Sequence, residues 1–334
     1  MSGTPERFRA YVVDRPDDGG FTRGLRELTV DELPPGELLV RVAWSTVNYK
    51  DGLAAREDGK VVRAYPLVPG IDLVGEVVES ADPAFAIGEF VIASGYDFGV
   101  SRHGGFAELA RVPSSNVVPL PDGLGPRDAM AIGTAGFTAA LSVVALEARG
   151  LAPSSGPVLV TGASGGVGGR AVGILAARGY EVWAATRKDA EQDRLRGLGA
   201  VGFVAADDIA APGKPLERAR WAGAVDTVGG VTLPYVLRSL QPGGAVAASG
   251  NAGGAELTTT VLPFILRGVA LLGIESSQVP IGERQRIWGR LATDLRPRGL
   301  SDAISEVDLD GVEGALDAIV AGEARGRWVV RIGG

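Results

Sequence analysis

The stretch VTGASGGVGGRAVG, residues 160–173, constrains the fold more than any other part of the chain. The apolar run VLVT leads into a glycine-rich turn, and an apolar helical pattern follows the turn. In this turn Ala163, Gly165 and Gly168 occupy the three small-residue positions of the pattern Gly-x-Gly-x-x-Gly. Small residues there let the backbone approach a pyrophosphate at the amino end of the next helix. This strand–turn–helix context predicts a dinucleotide-binding parallel sheet.

The end of the second predicted strand indicates which dinucleotide binds. About 20 residues after the turn, an NAD-binding chain offers Asp or Glu to the ribose hydroxyls. Thr186, Arg187 and Lys188 stand at that place in this chain. A guanidinium and an ammonium group suit a 2′-phosphate, which a carboxylate would repel. The sequence therefore favours NADPH; Asp189 as a ribose ligand would weaken that preference, and a solvated helix start is the alternative role of the two cations.

The composition excludes several kinds of chemistry. The 334 residues include no cysteine and one histidine, His103, which excludes disulfides, thiolate catalysis and cysteine-based zinc sites. A Ser-His-Asp triad would need His103 as its base, and no Gly-x-Ser-x-Gly elbow supports that option. The net charge of −7 argues against nucleic acid and anionic membranes as partners. We therefore expect the chemistry to depend on a bound organic cofactor.

Targeting signals are not apparent in the sequence. The first residues, MSGTPERFRAYVVDRPDD, contain no apolar core of a signal peptide. We find no apolar run close to the roughly 20 residues that span a bilayer. The sequence thus predicts a cytoplasmic protein without membrane association.

The strand and helix patterns change character along the chain. Residues up to about 125 form short Val-, Leu- and Ile-rich runs separated by Gly and Pro, which predicts strands and turns. From residue 157 strands alternate with apolar helices, which predicts a parallel sheet with right-handed crossovers. We predict a β-rich domain formed by residues 1–125 and 269–334, with a dinucleotide-binding domain of residues 126–268 inserted between them.

Taken together, these features resemble the zinc-free branch of the medium-chain dehydrogenase/reductase superfamily, and within it the acrylyl-CoA reductase group of the YhdH and AcuI type. The segments that carry the resemblance include VNYKDGLA (47–54), YPLVPGIDLVGEV (65–77), SRHGGFAELARV (101–112), AMAIGTAGFTAAL (129–141) and GRWVV (326–330). The chain departs from the group at Ser249 and Asn251, in SGNAGG, where the group's pattern reads CGLAGG. The resemblance implies an α/β fold: a Rossmann doubly wound parallel sheet inserted in a GroES-like β-rich domain, with the active site in the cleft between them.

The resemblance also implies a reaction. It implies NADPH-dependent reduction of the carbon–carbon double bond of an α,β-unsaturated acyl-CoA, with acryloyl-CoA to propionyl-CoA as the leading pair. Two alternatives stay open: an NADPH-dependent reductase of quinones or small enones, and an NADPH-binding protein without turnover. The segment VALLGIES, 269–276, resembles the edge strand that superfamily members pair across subunits, so we expect a homodimer.

The candidate site residues come from the same motifs. Tyr49 in NYKD is the catalytic candidate, because a phenol with a pKa of about 10 donates a hydrogen bond or a proton at neutral pH. A proton donor, a positioning group and a tyrosine packed in the core are its three possible roles. The candidate substrate-binding residues are Asn48, Arg102 and His103. The candidate cofactor-binding residues are Tyr49, Thr134, Ser164, Gly165, Gly166, Val167, Thr186, Arg187, Lys188, Asn251, Ile265, Ser276 and Arg327.

Several of these candidates have a structural alternative. Holding the loop around Tyr49 is the alternative for Asn48, and Asp51 is expected to fix the same loop or to pair with a basic neighbour. A structural hydrogen bond is the alternative for His103. Arg327 either closes over the cofactor or lies on the surface. The basic residues that could meet a CoA phosphate, unless they are merely solvated, are Arg56, Lys60, Arg63 and Arg102.

Overall fold

The structure, a computed structural model, describes residues 6–17 and 19–333. Within them the strands are β1 Arg7–Asp14, β2 Thr22–Thr29, β3 Leu38–Val47, β4 Asp72–Ser80, β5 Phe90–Ser94, β6 Leu109–Val112, β7 Val117–Pro119, β8 Val158–Thr161, β9 Val182–Thr186, β10 Ala200–Ala205, β11 Trp221–Asp226, β12 Leu240–Ala248, β13 Ala270–Gly273, β14 Ile304–Asp308 and β15 Arg327–Arg331. The α-helices are α1 Tyr49–Ala54, α2 Pro126–Ala148, α3 Gly166–Ala177, α4 Gln192–Leu198, α5 Ala206–Ala210, α6 Thr232–Ser239, α7 Leu262–Arg267, α8 Ile281–Ala292 and α9 Val312–Val320.

The chain divides into two compact units. Unit 1 comprises Met1–Thr134, Ser277–Gly289 and Ser301–Gly334, and unit 2 comprises Ala135–Ser276 and Arg290–Leu300. Each unit has its own sheets and its own buried cluster of apolar side chains.

Unit 1 is built on largely antiparallel sheets. β1 and β2 pair with each other, and a seven-stranded sheet has the order β14-β15-β3-β4-β5-β7, with β6 also paired to β3. Its main apolar cluster includes Phe8, Leu39 and Leu316, so the strands pack on α9. Helix α1 also lies against α9, because a Cβ on Gly52 would come within 2.5 Å of a methyl group of Val320. This packing holds the helix that begins at Tyr49.

Unit 2 contains a six-stranded parallel sheet with the order β10-β9-β8-β11-β12-β13. The chain runs outward from β8 through β9 and β10, and then outward in the other direction from β11. Strands β8 and β11 are buried along their whole length, as expected when helices cover both faces of a parallel sheet. The predicted doubly wound parallel sheet is confirmed. Ligands of such sheets bind outside the carboxyl ends of the strands at the switch point, which here lies between β8 and β11.

Helix α2 is interrupted at Gly133. This residue has φ 50° and ψ −164°, a conformation that glycine adopts far more readily than other residues. A Cβ at this position would lie 2.8 Å from Nη2 of Arg327 and 3.0 Å from Oδ2 of Asp72. The interruption therefore lets a guanidinium and a carboxylate approach the backbone directly.

Helix α2 is long and apolar enough to cross a membrane. The expectation that no apolar run comes close to the length needed to span a bilayer was therefore wrong. Its most apolar window has a mean hydropathy of 1.8, and 78% of that window is buried inside the protein. We interpret α2 as a core helix, because its apolar surface is already covered by protein.

The observed bounds differ from the predicted domains at three places. Residues 126–134 belong to unit 1, since the N–H of Thr134 bonds to a side chain of that unit. The predicted return to the β-rich domain at 269 was too early, because β13 pairs in parallel with β12. Residues 290–300 also belong to unit 2. Within unit 2, helix α6 ends at Ser239 and β12 begins at Leu240.

Candidate functional site

The glycine-rich turn lies at the switch point of the parallel sheet. β8 ends at Thr161, and α3 begins with the first turn GVGG after its N-cap Gly165. Gly162 has a φ of 59°, and a Cβ on Gly168 would lie 2.3 Å from the carbonyl oxygen of Gly162. Glycine thus permits both the left-handed turn and the close packing of the helix on it.

This turn fits the pyrophosphate of a dinucleotide. The first N–H groups of a helix have no acceptor inside the helix, and its positive end favours an anion. Ser164, Gly165, Gly166 and Val167 form this part of the chain, as the sequence predicts. A Cβ on Gly165 would have one described neighbour within 4 Å, the carbonyl oxygen of Gly162 at 3.3 Å, so the mouth of the turn is open. The groups that would hold the pyrophosphate are therefore backbone N–H groups.

The end of β9 lies beside this turn. The hydroxyl of Thr186 donates to the Ser164 hydroxyl at 2.9 Å and accepts from the Lys188 N–H at 3.1 Å. Arg187 and Lys188 are exposed. The neighbouring Asp189 accepts a hydrogen bond from the Gln192 amide at 3.1 Å, which engages its carboxylate. The structure therefore brings two hydroxyls and two cations to one corner, a combination that suits a phosphate on the ribose.

Arg194 is a residue of this corner that sequence reasoning missed. Its Nε donates to the Glu191 carboxylate at 2.6 Å, and its Nη2 donates to the carbonyl oxygen of Ser164 at 3.1 Å. The ion pair therefore holds the glycine-rich turn against the segment that follows β9. The spacing of Glu191 and Arg194 by three residues was the available signal, but it does not reveal the third partner.

Unit 1 contains a buried carboxylate, Asp72, at the start of β4. Its side chain is fully buried. It accepts hydrogen bonds from the Thr134 N–H at 3.0 Å, the Thr134 hydroxyl at 2.6 Å and the Asn48 amide at 2.8 Å. The predicted cofactor contact of Thr134 therefore competes with a hydrogen bond to Asp72. Sequence reasoning did not identify Asp72.

A second carboxylate, Asp51, is buried close to the first. It is also 0% exposed, and it accepts from the Asn48 N–H at 2.8 Å, the Gly70 N–H at 3.1 Å and the Ile71 N–H at 2.9 Å. Burial and the charge of Asp72 raise the pKa of Asp51 to about 7. Asp51 thus anchors the first turn of α1 to the segment before β4, which is the loop-fixing role expected from the sequence.

Arg327 lies in the same cluster and not on the surface, so that alternative was wrong. It is 5% exposed. Its guanidinium donates to the Asn48 side-chain oxygen at 3.1 Å and to the Thr46 hydroxyl at 2.6 Å. Burial lowers the pKa of Arg327, against the opposing effect of Asp72 and Asp51. The Asn48 amide therefore links one buried cation to two buried carboxylates, and these bonds leave the side chain little freedom to bind substrate.

Tyr49 occupies a different environment from its neighbours. It is the first residue of α1, and the residue is 57% exposed, so the alternative of a tyrosine packed in the core was wrong. Because Asn48 and Asp51 are anchored on either side, the backbone of Tyr49 is held while its ring remains accessible. This arrangement suits a phenol that meets a ligand.

The remaining predicted residues make no described contact with the residues at the glycine-rich turn or with the buried charged residues around Asp72. A guanidinium nitrogen of Arg102 donates to the Pro35 carbonyl oxygen at 2.5 Å. Nδ1 of His103 accepts from the Val68 N–H at 3.4 Å, and burial lowers the pKa of His103, as the structural alternative expects. Asn251 and Ile265 are exposed, and Ser276 is half-buried.

The pKa of Asp51 predicts a pH dependence of stability. Because burial raises this pKa, the native state binds a proton that the unfolded state releases above about pH 4. The contribution of Asp51 to the free energy of unfolding should then fall by up to about 1.4 kcal/mol per pH unit as pH rises towards 7. Asp51→Asn should remove this slope, as measured by urea unfolding between about pH 5 and about pH 7. Asp122→Asn, at an exposed carboxylate, is the control and should keep it; equal slopes for all three proteins would contradict the assignment.

Sequence comparisons agree with the two-unit architecture. The family profile described as "Alcohol dehydrogenase GroES-like domain" matches residues 34–122, and the one described as "Zinc-binding dehydrogenase" matches residues 166–290. Despite the second description, the chain has no cysteine. Among residues 6–17 and 19–333, no group of three or more His, Asp or Glu side chains could hold a metal ion.

Near full-length relatives identify the family. The chain is 48% identical to acrylyl-CoA reductase AcuI of Ruegeria pomeroyi, over 97% of this chain and 99% of the relative. It is also 48% identical to "Putative quinone oxidoreductase YhfP" of Bacillus subtilis, over 92% and 94%. The yhdH oxidoreductase of Salmonella enterica, solved with NADP, superposes with a TM-score of 0.94 at 43% identity over 97% of this chain and 100% of that one. B. subtilis yhfP, solved with NAD bound, gives 0.95 at 46% over 98% and 99%. The chain therefore belongs to the medium-chain dehydrogenase/reductase family.

Proposed function

We propose that the protein uses NADPH to reduce the carbon–carbon double bond of an α,β-unsaturated acyl-CoA, with acryloyl-CoA to propionyl-CoA as the leading pair. The observation that carries this proposal is the identity of 48% with an acrylyl-CoA reductase over 97% of the chain. When bound, NADPH supplies the hydride for such a reduction. The protein has to bind and orient both reactants and supply a proton.

The preference for NADPH depends on the corner between the glycine-rich turn and the end of β9. Relatives of similar identity have been solved with NADP and with NAD, so their ligands do not decide the preference. The Ser164 and Thr186 hydroxyls lie 2.9 Å apart, and the exposed Arg187 and Lys188 follow them. These groups would hold the 2′-phosphate through charge-assisted hydrogen bonds.

Tyr49 is the proposed catalytic residue. Its accessible phenol at the start of α1 could donate a hydrogen bond to the thioester oxygen of the substrate or a proton to its α-carbon. A phenol O–H can serve both as a hydrogen-bond donor and as a general acid. The anchored residues on either side, Asn48 and Asp51, limit the positions that this phenol samples, which supports a directed contact.

Reduction of quinones is the second candidate function. Its support is the identity of 48% with a protein named as a quinone oxidoreductase. The same corner and the same tyrosine would serve a quinone, so only the acceptor distinguishes the two candidates. The third candidate is a protein that binds NADPH without turnover. The cytoplasmic location expected from the sequence remains a prediction.

We also propose a homodimer in which a second copy of the chain lies along β13. In the described strand order β13 is the last strand of its sheet, and such an edge presents unpaired backbone groups. Exposed apolar side chains, Val261, Ile265 and Leu266, at 63–68% exposure, precede it in the chain. A second copy would cover them. Sedimentation equilibrium at micromolar concentration tests this, and a mass of one chain would contradict it.

The proposed reaction predicts selective oxidation of NADPH. The loss of reduced-nicotinamide absorbance with acryloyl-CoA should be rapid with NADPH and slow with NADH. Propionyl-CoA, which lacks the double bond, is the control and should give none. Oxidation with quinones but not with acryloyl-CoA would favour the second candidate. NADPH binding without oxidation by either acceptor would favour the third.

If the cations at the end of β9 bind the 2′-phosphate, replacing them should remove the preference for NADPH. Replacing both Arg187 and Lys188 by Ala should weaken NADPH binding at least about tenfold, the size expected for lost charged hydrogen bonds. NADH binding should stay nearly unchanged, because NADH has no 2′-phosphate. Fluorescence titration measures both affinities, and Arg149→Ala, at an exposed cation elsewhere in unit 2, is the control. Equal losses for the two dinucleotides would refute the assignment.

If Tyr49 is the proton donor, removing its hydroxyl should reduce turnover without weakening cofactor binding. Tyr49→Phe removes only the hydroxyl, so kcat with acryloyl-CoA should fall about a hundredfold for a proton donor, while the Kd for NADPH stays the same. Tyr65→Phe, at a half-buried tyrosine of unit 1, is the matched control and should keep its kcat. An unchanged kcat in Tyr49→Phe would remove Tyr49 from the proton-donor role.

A further inference from the structure

A buried hydrogen-bonded pair connects the two strand ends at the switch point. Asp226, the last residue of β11, is 0% exposed, and Thr161, the last residue of β8, is 1% exposed. The Thr161 hydroxyl donates to one carboxylate oxygen of Asp226 at 2.5 Å, and the Gly229 N–H donates to the other at 2.9 Å. The carboxylate therefore binds the end of β8 and the loop that follows β11 at the same time.

Thr227 completes this connection. Its N–H donates to the Thr161 hydroxyl oxygen at 3.3 Å, and its own hydroxyl donates to the Thr161 carbonyl oxygen at 3.0 Å. We call Thr161, Asp226 and Thr227 the switch-point clasp. Because its three hydrogen bonds run in both directions between the strand ends, the separation of these ends is tightly determined.

The clasp contacts the loops on both sides without intervening side chains. A Cβ on Gly162 would lie 2.3 Å from the Thr227 hydroxyl oxygen, and a Cβ on Gly250 would lie 2.2 Å from the Thr227 carbonyl oxygen. The N–H of Gly253 also donates to the Val228 carbonyl oxygen at 2.7 Å. A shift of residues 227–230 would therefore displace the glycine-rich turn on one side and the loop after β12 on the other.

We propose that Asp226 and Thr161 are positioning residues for the dinucleotide, acting by holding the glycine-rich turn in the conformation that receives the pyrophosphate. This inference rests on the dinucleotide binding proposed above. Both side chains are buried, so they act through the turn and not by contact with the ligand. An apolar pair would avoid the cost of burying a carboxylate, a cost visible in the pKa of Asp226, which burial raises. Such a pair would lose the directional bonds that fix the turn.

Weakening the clasp should change dinucleotide affinity in a different way from replacing Arg187 and Lys188. The pyrophosphate is common to NADP and NAD, so weakening the clasp should reduce the affinity for both by the same factor. The preference for the 2′-phosphate should not change, because Arg187 and Lys188 lie at the end of β9, outside the clasp, and Ser164 keeps its own bonds to Thr186 and Arg194. A common loss of affinity is therefore the signature of the clasp.

Titration calorimetry with NADP⁺ and with NAD⁺ tests this. Thr161→Val keeps the shape of the side chain but removes the hydroxyl, and it should raise both Kd values about tenfold. Thr161→Ser restores the hydroxyl and should return both to within about twofold of the unmodified protein. Ser239→Ala is the control: this hydroxyl is also buried, but it donates to the Tyr235 carbonyl oxygen at 2.7 Å at the amino end of β12. It should lower Tm without changing either Kd.

A second variant covers the case in which Thr161→Val does not fold. Thr227→Val removes one hydrogen bond of the clasp from a half-buried residue, and it should raise both Kd values by a common factor. Unchanged Kd values in a folded Thr161→Val or Thr227→Val protein would overturn the inference while leaving the proposed cofactor intact. Failure of the unmodified protein to bind either dinucleotide would refute the proposed cofactor, and the inference with it.

Discussion

A buried carboxylate has to receive its hydrogen bonds from the protein, and this requirement organises both units. Moving a charged group out of water costs on the order of several kcal/mol unless hydrogen-bond donors of the protein replace the water. Asp72 obtains its donors from Thr134 and Asn48, and Asp226 obtains its donors from Thr161 and Gly229. The bonds from Thr134, Asn48 and Thr161 come from residues distant in sequence, and the bond from Gly229 closes the loop after β11. Satisfying each carboxylate therefore also fixes a loop. The proposed site residues lie on, or directly beside, the loops that are held in this way.

The distribution of charge separates structural roles from binding roles. Arg327 is 5% exposed, and its guanidinium compensates two buried carboxylates through the Asn48 amide. Arg187 and Lys188, by contrast, are exposed beside two hydroxyls. A cation engaged in a buried network is not available to a ligand, whereas the exposed cations lie near the open end of a helix, where an anion is favoured. Residue type alone would not separate these roles, because arginine serves in both.

The parts of the site that the sequence could predict are those built from neighbouring residues. The glycine-rich turn and the segment Thr186–Lys188 were predicted because strand, turn and helix follow one another within a few residues. Asp72 and Asp226 were not identified, since their partners lie 62 residues away, at Thr134, and 65 residues away, at Thr161. Arg194 was also not identified, because its partner, the Ser164 carbonyl oxygen, lies 30 residues away.

The sequence by itself determined the doubly wound sheet, the position of the dinucleotide turn and the lack of thiol chemistry, because these follow from local periodicity, glycine spacing and composition. Only the tertiary structure decided that Tyr49 is accessible while Asn48 and Asp51 on either side are buried. It also decided that β13 belongs to the parallel sheet and that Arg327, 279 residues from Asn48, lies inside the charge cluster. Burial and charge compensation depend on which distant residues meet, and a pattern along the chain does not contain that information.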